Sequence, residues 1–192
     1  MPDALSAIQA LRRIYCGSIG YDYEHIYLPE ERSWLREAAE TGRYWVAKDA
    51  KYYKQLLERL TQVEVFEHFL QRSFPGKKRL SIEGLDMLVP ILDEIIGAAA
   101  EADICMIFLG MPHRGRLNIL AHELQKSYIQ ILAEFKDPGG NPIAWHELGW
   151  TGDVKYHKGA SRAVEGGEVV KLILIMPLNP SHLEYVNAVV EA

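Results

Sequence analysis

The sequence predicts an α/β fold: an amino-terminal helical region, residues 1–75, then an α/β part, residues 76–192, that begins a parallel sheet with flanking helices. Two observations predict it. The first part carries apolar residues at helical spacing. The second part holds two short apolar runs, Ile104–Leu109 and Val169–Met176, each bounded by Gly or Pro and followed by a turn with a histidine and then a helical pattern. Such runs read as buried strands. A sheet with only two clear parallel strands exposes long edges, so the expectation is a piece of a larger protein or one completed by a partner.

The elements follow in order. Leu5, Ile8, Leu11, Tyr15 and Ile19 fall on one helical face, with Asp3 placed to cap it and Gly17 and Gly20 to end it. Pro29 opens a short helix through Glu40, since its missing donor would be unpaired at a helix start, and Thr41-Gly42 closes it. A long amphipathic helix runs from about Asp49 to Arg72. Leu56, Leu60, Val63, Phe66 and Leu70 form its stripe, Leu57 and Phe69 widen it, and Glu58, Arg59, Glu64 and Glu67 lie towards the solvated side. The turn Ser73–Arg79 marks the boundary between the two parts.

The next helix spans about Glu83 to Ala100, and Pro90 should kink it or shift its start. After the first strand come a helix from about Gly115 to Leu124 and another opened by Ser127, with Gln130 at capping-box spacing. Lys136–Trp150 is a long Gly- and Pro-rich loop. The second strand and a helix opened by Ser181 complete the chain.

Composition excludes several classes. Apolar content of 48% and charged content of 24% are those of a globular domain, and a net charge of −5 gives no reason to expect nucleic acid or an anionic membrane as partner. No apolar stretch approaches a membrane span, and Met1-Pro2-Asp3-Ala4-Leu5 shows no signal peptide. Cys16 and Cys105 lack metal-ligand spacing and read as two reduced thiols of a cytosolic protein.

The chemistry gathers in three segments. In Gly110-Met111-Pro112-His113-Arg114-Gly115-Arg116-Leu117-Asn118, the glycines allow a close backbone approach, and two arginines at a helix start could bind phosphate or carboxylate. The alternative is a structural loop whose arginines pair with Asp or Glu. In Asn179-Pro180-Ser181-His182-Leu183-Glu184, the Ser-x-x-Glu spacing is a capping box, which places His182 in the first helical turn over the strand end. Both histidines would then stand beyond the carboxyl ends of strands, where open parallel sheets bind ligands. In Gly152–Gly159, the residues Asp153, Lys155 and His157 either order a loop edge or support the site; no nucleophile–base spacing is evident. Gly152-Asp153 with Asn179 loosely resembles a magnesium motif of thiamine diphosphate enzymes, but it follows a loop and Pro180 replaces the second Asn. No nucleophile elbow, phosphate loop or His-Glu-x-x-His occurs; His122-Glu123 reads as helix surface, and the aromatics from Tyr15 to Tyr53 read as packing.

Gly-Met-Pro-His-Arg-Gly-Arg-Leu-Asn, Gly-Asp-Val-Lys-Tyr-His and Asn-Pro-Ser-His-Leu-Glu, in that order, resemble the thiamine-dependent dehydrogenase component of the 2-oxoglutarate dehydrogenase complex. Phe69-Leu70-Gln71-Arg72 and Lys78–Gly84 match the same family's approach to its catalytic domain. The resemblance implies that residues 76–192 are the first, truncated part of a thiamine-diphosphate-binding α/β domain. It implies oxidative decarboxylation of 2-oxoglutarate in the tricarboxylic acid cycle, with the succinyl group passed to a lipoyl group on the acyltransferase partner. His113 and His182 would be catalytic and contact substrate, Ser181 and Leu183 would shape the pocket, and Arg114 would lie near the cofactor's diphosphate.

The cofactors implied are thiamine diphosphate and magnesium, with most ligands outside this chain, so the chain alone is expected to be inactive. A homodimer when full length is implied, in the bacterial cytosol or the mitochondrial matrix. Three departures stand out. The family's magnesium motif lies beyond residue 192, the loop Pro138–Trp150 differs, and Tyr185-Val186-Asn187-Ala188 replaces an acidic-Pro segment. The related 2-oxoadipate dehydrogenase shares these motifs, and a non-catalytic carboxylate-binding or docking module remains the alternative for a natively short chain.

Overall fold

The computed structural model describes residues 3–45, 47–136, 154–166, 169–179 and 183–192. Two compact units divide the chain, Met1–Asp49 and Ala50–Ala192. In the first, α1 (Ala4–Tyr15) starts as expected, with the Asp3 carboxylate accepting from the Ser6 amide at 2.7 Å. The second helix, α2 (Pro29–Thr41), opens on Pro29 and ends on Gly42 in the left-handed conformation. Leu5, Ile8 and Leu11, the apolar stripe of α1, are exposed, and among the described residues of this unit only Tyr23 and Ala38 are buried hydrophobics. A unit this small has too little volume to cover a helix face.

The second unit begins with α3 (Ala50–Ser73), the long helix that the sequence groups with the amino-terminal helices. It belongs with the sheet because Val63, Phe66 and Leu70 enter the main core with Val89, Ile96, Leu120 and Leu174. Leu57 and Phe69, expected to widen its buried stripe, are exposed instead. Glu67, expected on the solvated side, is 2% exposed. Its carboxylate accepts from Arg79 at 3.1 Å, the Asn118 amide group at 3.0 Å and the Ile82 backbone amide at 3.3 Å. A buried carboxylate needs such partners.

The helix α4 (Leu88–Glu101) starts late enough to place Pro90 in its first turn, where the absent donor costs nothing. Next come β1 (Met106–Phe108), α5 (Arg116–His122) and α6 (Tyr128–Lys136), with the Gln130 amide donating to Ser127 Oγ at 3.3 Å. Then follow β2 (Ala160–Gly166), β3 (Val169–Met176) and α7 (Val186–Glu191). The long loop expected at Lys136–Trp150 lies, after Lys136, outside the described residues.

The α/β class holds, but the sheet is mixed rather than parallel. Its order is β1-β3-β2; β3 runs parallel to β1 and antiparallel to β2. The sequence hides β2 because its inward positions are Ala160, Arg162 and Val164, too polar a set to read as a strand. Arg162 is accommodated by donating to the Glu123 carbonyl at 2.8 Å. In β3, Leu172, Leu174 and Met176 are buried, whereas Met106 and Phe108 of β1 and Ile173 beside them are exposed. The expectation of fully buried strands therefore fails on that face, because the helices of this unit cover the other one.

His122 and Glu123, expected on a helix surface, are also buried. Arg59 draws them in: its guanidinium pairs with Asp93 at 2.7 Å and Glu123 at 3.1 Å, and donates to His122 Nδ1 at 3.2 Å. Burial and then the Arg59 charge push the His122 pKa down to about 4. Burial and then Asp93 push the Glu123 pKa up to about 7. The two act oppositely on stability. A depressed His122 loses stability as pH falls from about 6.5 towards 4, and a raised Glu123 loses it as pH rises from about 4.5 to 7. Together they nearly cancel across the overlap. Glu123→Gln should unmask the histidine, so that the thermal midpoint falls on acidification through this window. A flat profile in that variant would refute the assignment.

Candidate active site

The turn after β1 places His113. Leu109 donates to the Ile175 carbonyl at 2.8 Å, continuing the sheet past the strand end, and the Gly115 amide donates to the Leu80 carbonyl at 2.9 Å. Gly115 has φ +74°, and a Cβ there would press on the Ile82 side chain at 2.9–3.1 Å. Only glycine turns the chain here without strain. The result is a half-buried His113 beyond the carboxyl end of β1.

The structure brings His157 against it. The two imidazoles meet edge to face, centroids 5.0 Å apart at 77°. His157 Nδ1 lies 2.8 Å from the Asn179 carbonyl. A carbonyl only accepts, so Nδ1 carries the proton, and in the neutral ring Nε2 is the free acceptor. Asn179 in turn donates its backbone amide to the His157 carbonyl at 2.9 Å and its side-chain amide to the Tyr156 carbonyl at 3.3 Å. The Tyr156 hydroxyl accepts from the Leu80 amide at 2.8 Å. The sequence left His157 as loop order or support; its place in a dense polar segment was the only signal.

The arginines behave differently from expectation. Arg116, a candidate anion ligand, is fully buried and, among the described residues, faces no carboxylate. It donates to four carbonyl contacts on three segments: Met111 at 2.7 Å, Lys158 at 3.1 and 2.9 Å, and Pro177. Burial lowers its pKa to about 10, so it stays charged at neutral pH. Arg114 is exposed and donates to the Glu83 carbonyl at 2.8 Å. Lys155 is buried, with its ammonium 4.7 Å from the Phe135 ring centroid and 4.9 Å from that of Tyr156. Both rings belong to the main core.

Ser181 and His182 lie outside the described residues, as does Asp153. The expected helix opened by Ser181 is corrected in part: Leu183–Tyr185 forms a single 3-10 turn, and the α-helix begins at Val186. Among the described residues no group of three or more His, Cys, Asp or Glu side chains could hold a metal. Arg114 alone, exposed and bonded to the Glu83 carbonyl, does not make a magnesium diphosphate site.

Comparison with curated proteins gives the family. A 2-oxoglutarate dehydrogenase E1 component of Bacillus velezensis is 44% identical over 195 residues, covering 98% of this chain and 21% of the relative. Those of Bacillus mycoides, 47% over 188 residues, and Shouchella clausii, 43% over 197 residues, cover 98% and 100% of this chain. This chain is homologous to 2-oxoglutarate dehydrogenase E1 components. It spans about a fifth of the length of these relatives. No family model matches it. The histidine-bearing segments described above fall within the stretch that matches these relatives. Among the described residues no helix is long and apolar enough to cross a membrane.

One glycine ties the fold to this site. A Cβ at Gly159 would run into the Met176 carbonyl oxygen and reach the Pro177 carbonyl carbon at 3.0 Å and the Leu178 nitrogen at 3.1 Å. All are backbone atoms that cannot rotate away. Gly159→Ala should therefore cost about 2–3 kcal/mol, as overpacking does, and shift the neighbouring His157. Equilibrium denaturation with a midpoint unchanged from the parent would contradict this packing.

Proposed function

We propose that this chain forms the oxoacid-binding wall of a 2-oxoglutarate dehydrogenase E1 component. The observation that carries the reading is the His113–His157 pair beyond the ends of β1 and β3, in a chain of 43–47% identity to such enzymes. Imidazole N–H groups donate to carboxylate and ketone oxygens, and a donor placed where charge develops lowers the barrier to addition at a carbonyl. His113 takes that role, with His157 held beside it by Asn179. His182, Ser181 and Leu183 complete the pocket in this proposal, and Arg114 stays assigned to the diphosphate side.

Thiamine diphosphate and magnesium supply the carbanion chemistry of the whole enzyme. The described residues hold no metal-donor set, so their part is confined to orienting the oxoacid and holding protons on imidazole nitrogens. In the same proposal the reaction is oxidative decarboxylation, a lipoyl group on an acyltransferase partner takes the succinyl product, and the complete protein is a homodimer of the cytosol.

The test is turnover by the complete protein, supplied with thiamine diphosphate and magnesium, on 2-oxoglutarate and 2-oxoadipate in parallel. Faster reaction of 2-oxoglutarate, with mass-detected succinylation of a lipoyl domain, is expected. Preference for 2-oxoadipate would move the protein to the related dehydrogenase, and reaction with neither acid would remove the catalytic reading.

A further inference from the structure

We propose that Arg116 is a positioning residue, the single cation that sets the spacing between His113 and His157. Three backbone segments converge on it. The Met111 carbonyl belongs to the turn that carries His113, the Lys158 carbonyl directly follows His157, and the Pro177 carbonyl leads from β3 to Asn179. The Arg116 amide closes the same turn by donating to the His113 carbonyl at 3.1 Å.

Two features distinguish this arginine from an ordinary buried ion-pair partner. Among the described residues it has no carboxylate contact, and its donors reach carbonyls on segments that are far apart in sequence. A guanidinium suits the task because its donors are fixed in one plane, so the three carbonyls are held at set directions as well as set distances. A lysine keeps the charge but loses the planar fork. Asn179 adds the complementary clamp, fastening Tyr156 and His157 to the Pro177 side. Arg116 thus acts through the histidines and does not itself touch substrate: it is 0% exposed.

The proposal rests on the oxoacid-binding reading for its activity arm only. The complete protein is prepared as parent, Arg116→Lys and Arg116→Gly, and each is followed in two ways. The ring signals of labelled histidine report whether His113 and His157 still touch; steady-state kinetics with 2-oxoglutarate report kcat and KM per folded molecule. Arg116→Lys is expected to fold, to lose the cross-peak between the two rings and to lower kcat/KM roughly 100-fold, the scale of a misplacement of about an ångström. Added methylguanidinium should restore roughly a tenth or more of the lost rate to Arg116→Gly, filling the vacated space with the same planar donors.

A folded Arg116→Lys that keeps the ring contact and parent kinetics overturns the proposal. So does rescue that raises the melting temperature without raising the rate per folded molecule, and so does failure of every variant to fold, which would make Arg116 a general core residue. If the parent itself turns over no 2-oxoglutarate, the functional reading falls while the ring contact still decides the role of Arg116.

Discussion

His113→Ala in the complete protein lowers kcat/KM for 2-oxoglutarate by about 100- to 1000-fold, the usual loss when one preorganised donor to a developing charge is removed. The fold should scarcely notice. His113 is half-buried on a turn whose geometry is set by Gly115 and Arg116, and its ring meets that of His157. A change in melting temperature of no more than a few degrees is expected. The partition between constants is informative. Loss in kcat places the imidazole against charge that develops on reaction, whereas loss in KM alone makes it a ground-state contact to a carboxylate. An unchanged kcat/KM would remove His113 from the site. His157→Ala should give a loss of the same kind, and the double variant should fall short of the product of the two, because the rings touch.

The largest stability effect is expected from Glu67→Ala. The carboxylate serves Arg79, Asn118 and the Ile82 amide at once, within a site 2% exposed. Truncation leaves the Ile82 amide without its acceptor, while Arg79 keeps Glu83 at 3.4 Å and the Glu67 carbonyl at 3.0 Å and Asn118 keeps the Val63 carbonyl at 3.3 Å, so the cost is about 3 kcal/mol, the low end for a buried pair broken from one side. Glu67→Gln keeps an oxygen for one donor and should cost less. Denaturant titration orders the three proteins as parent, Gln, Ala in falling midpoint; an Ala variant as stable as the parent would mean that water replaces the carboxylate freely.

What could be read from the sequence was what neighbours along the chain decide. Asp3 at a helix start, Pro29 opening α2, Gly42 closing it, Ser127 beneath Gln130 and the bounds of β3 each depend on a few adjacent residues, and each is where the sequence put it. What failed depends on distant partners. Glu67 follows helical spacing as a surface residue, yet Arg79 and Asn118 bring its acceptors inside. His122 and Glu123 are drawn in by Arg59 from another helix. The strand β2 exists because β3 offers it a free edge, which its own polar alternation does not announce. The site divides the same way. His113 was legible from its glycine-flanked turn, and the approach of His157 was not, because Asn179 and Arg116 create it across three separated segments.

The sheet order also assigns a timetable for solvent exchange. β3 has a hydrogen-bonded neighbour on either side, whereas β1, among the described residues, has one on a single side only. In heavy water, backbone amides shielded on both flanks open only with the larger cooperative unit, and those at an edge open by local fraying. Leu172–Met176 should therefore keep their protons longest, Met106–Phe108 should surrender theirs early, and deuterium should reach the His113 turn from the β1 side before it reaches the segment that carries Asn179.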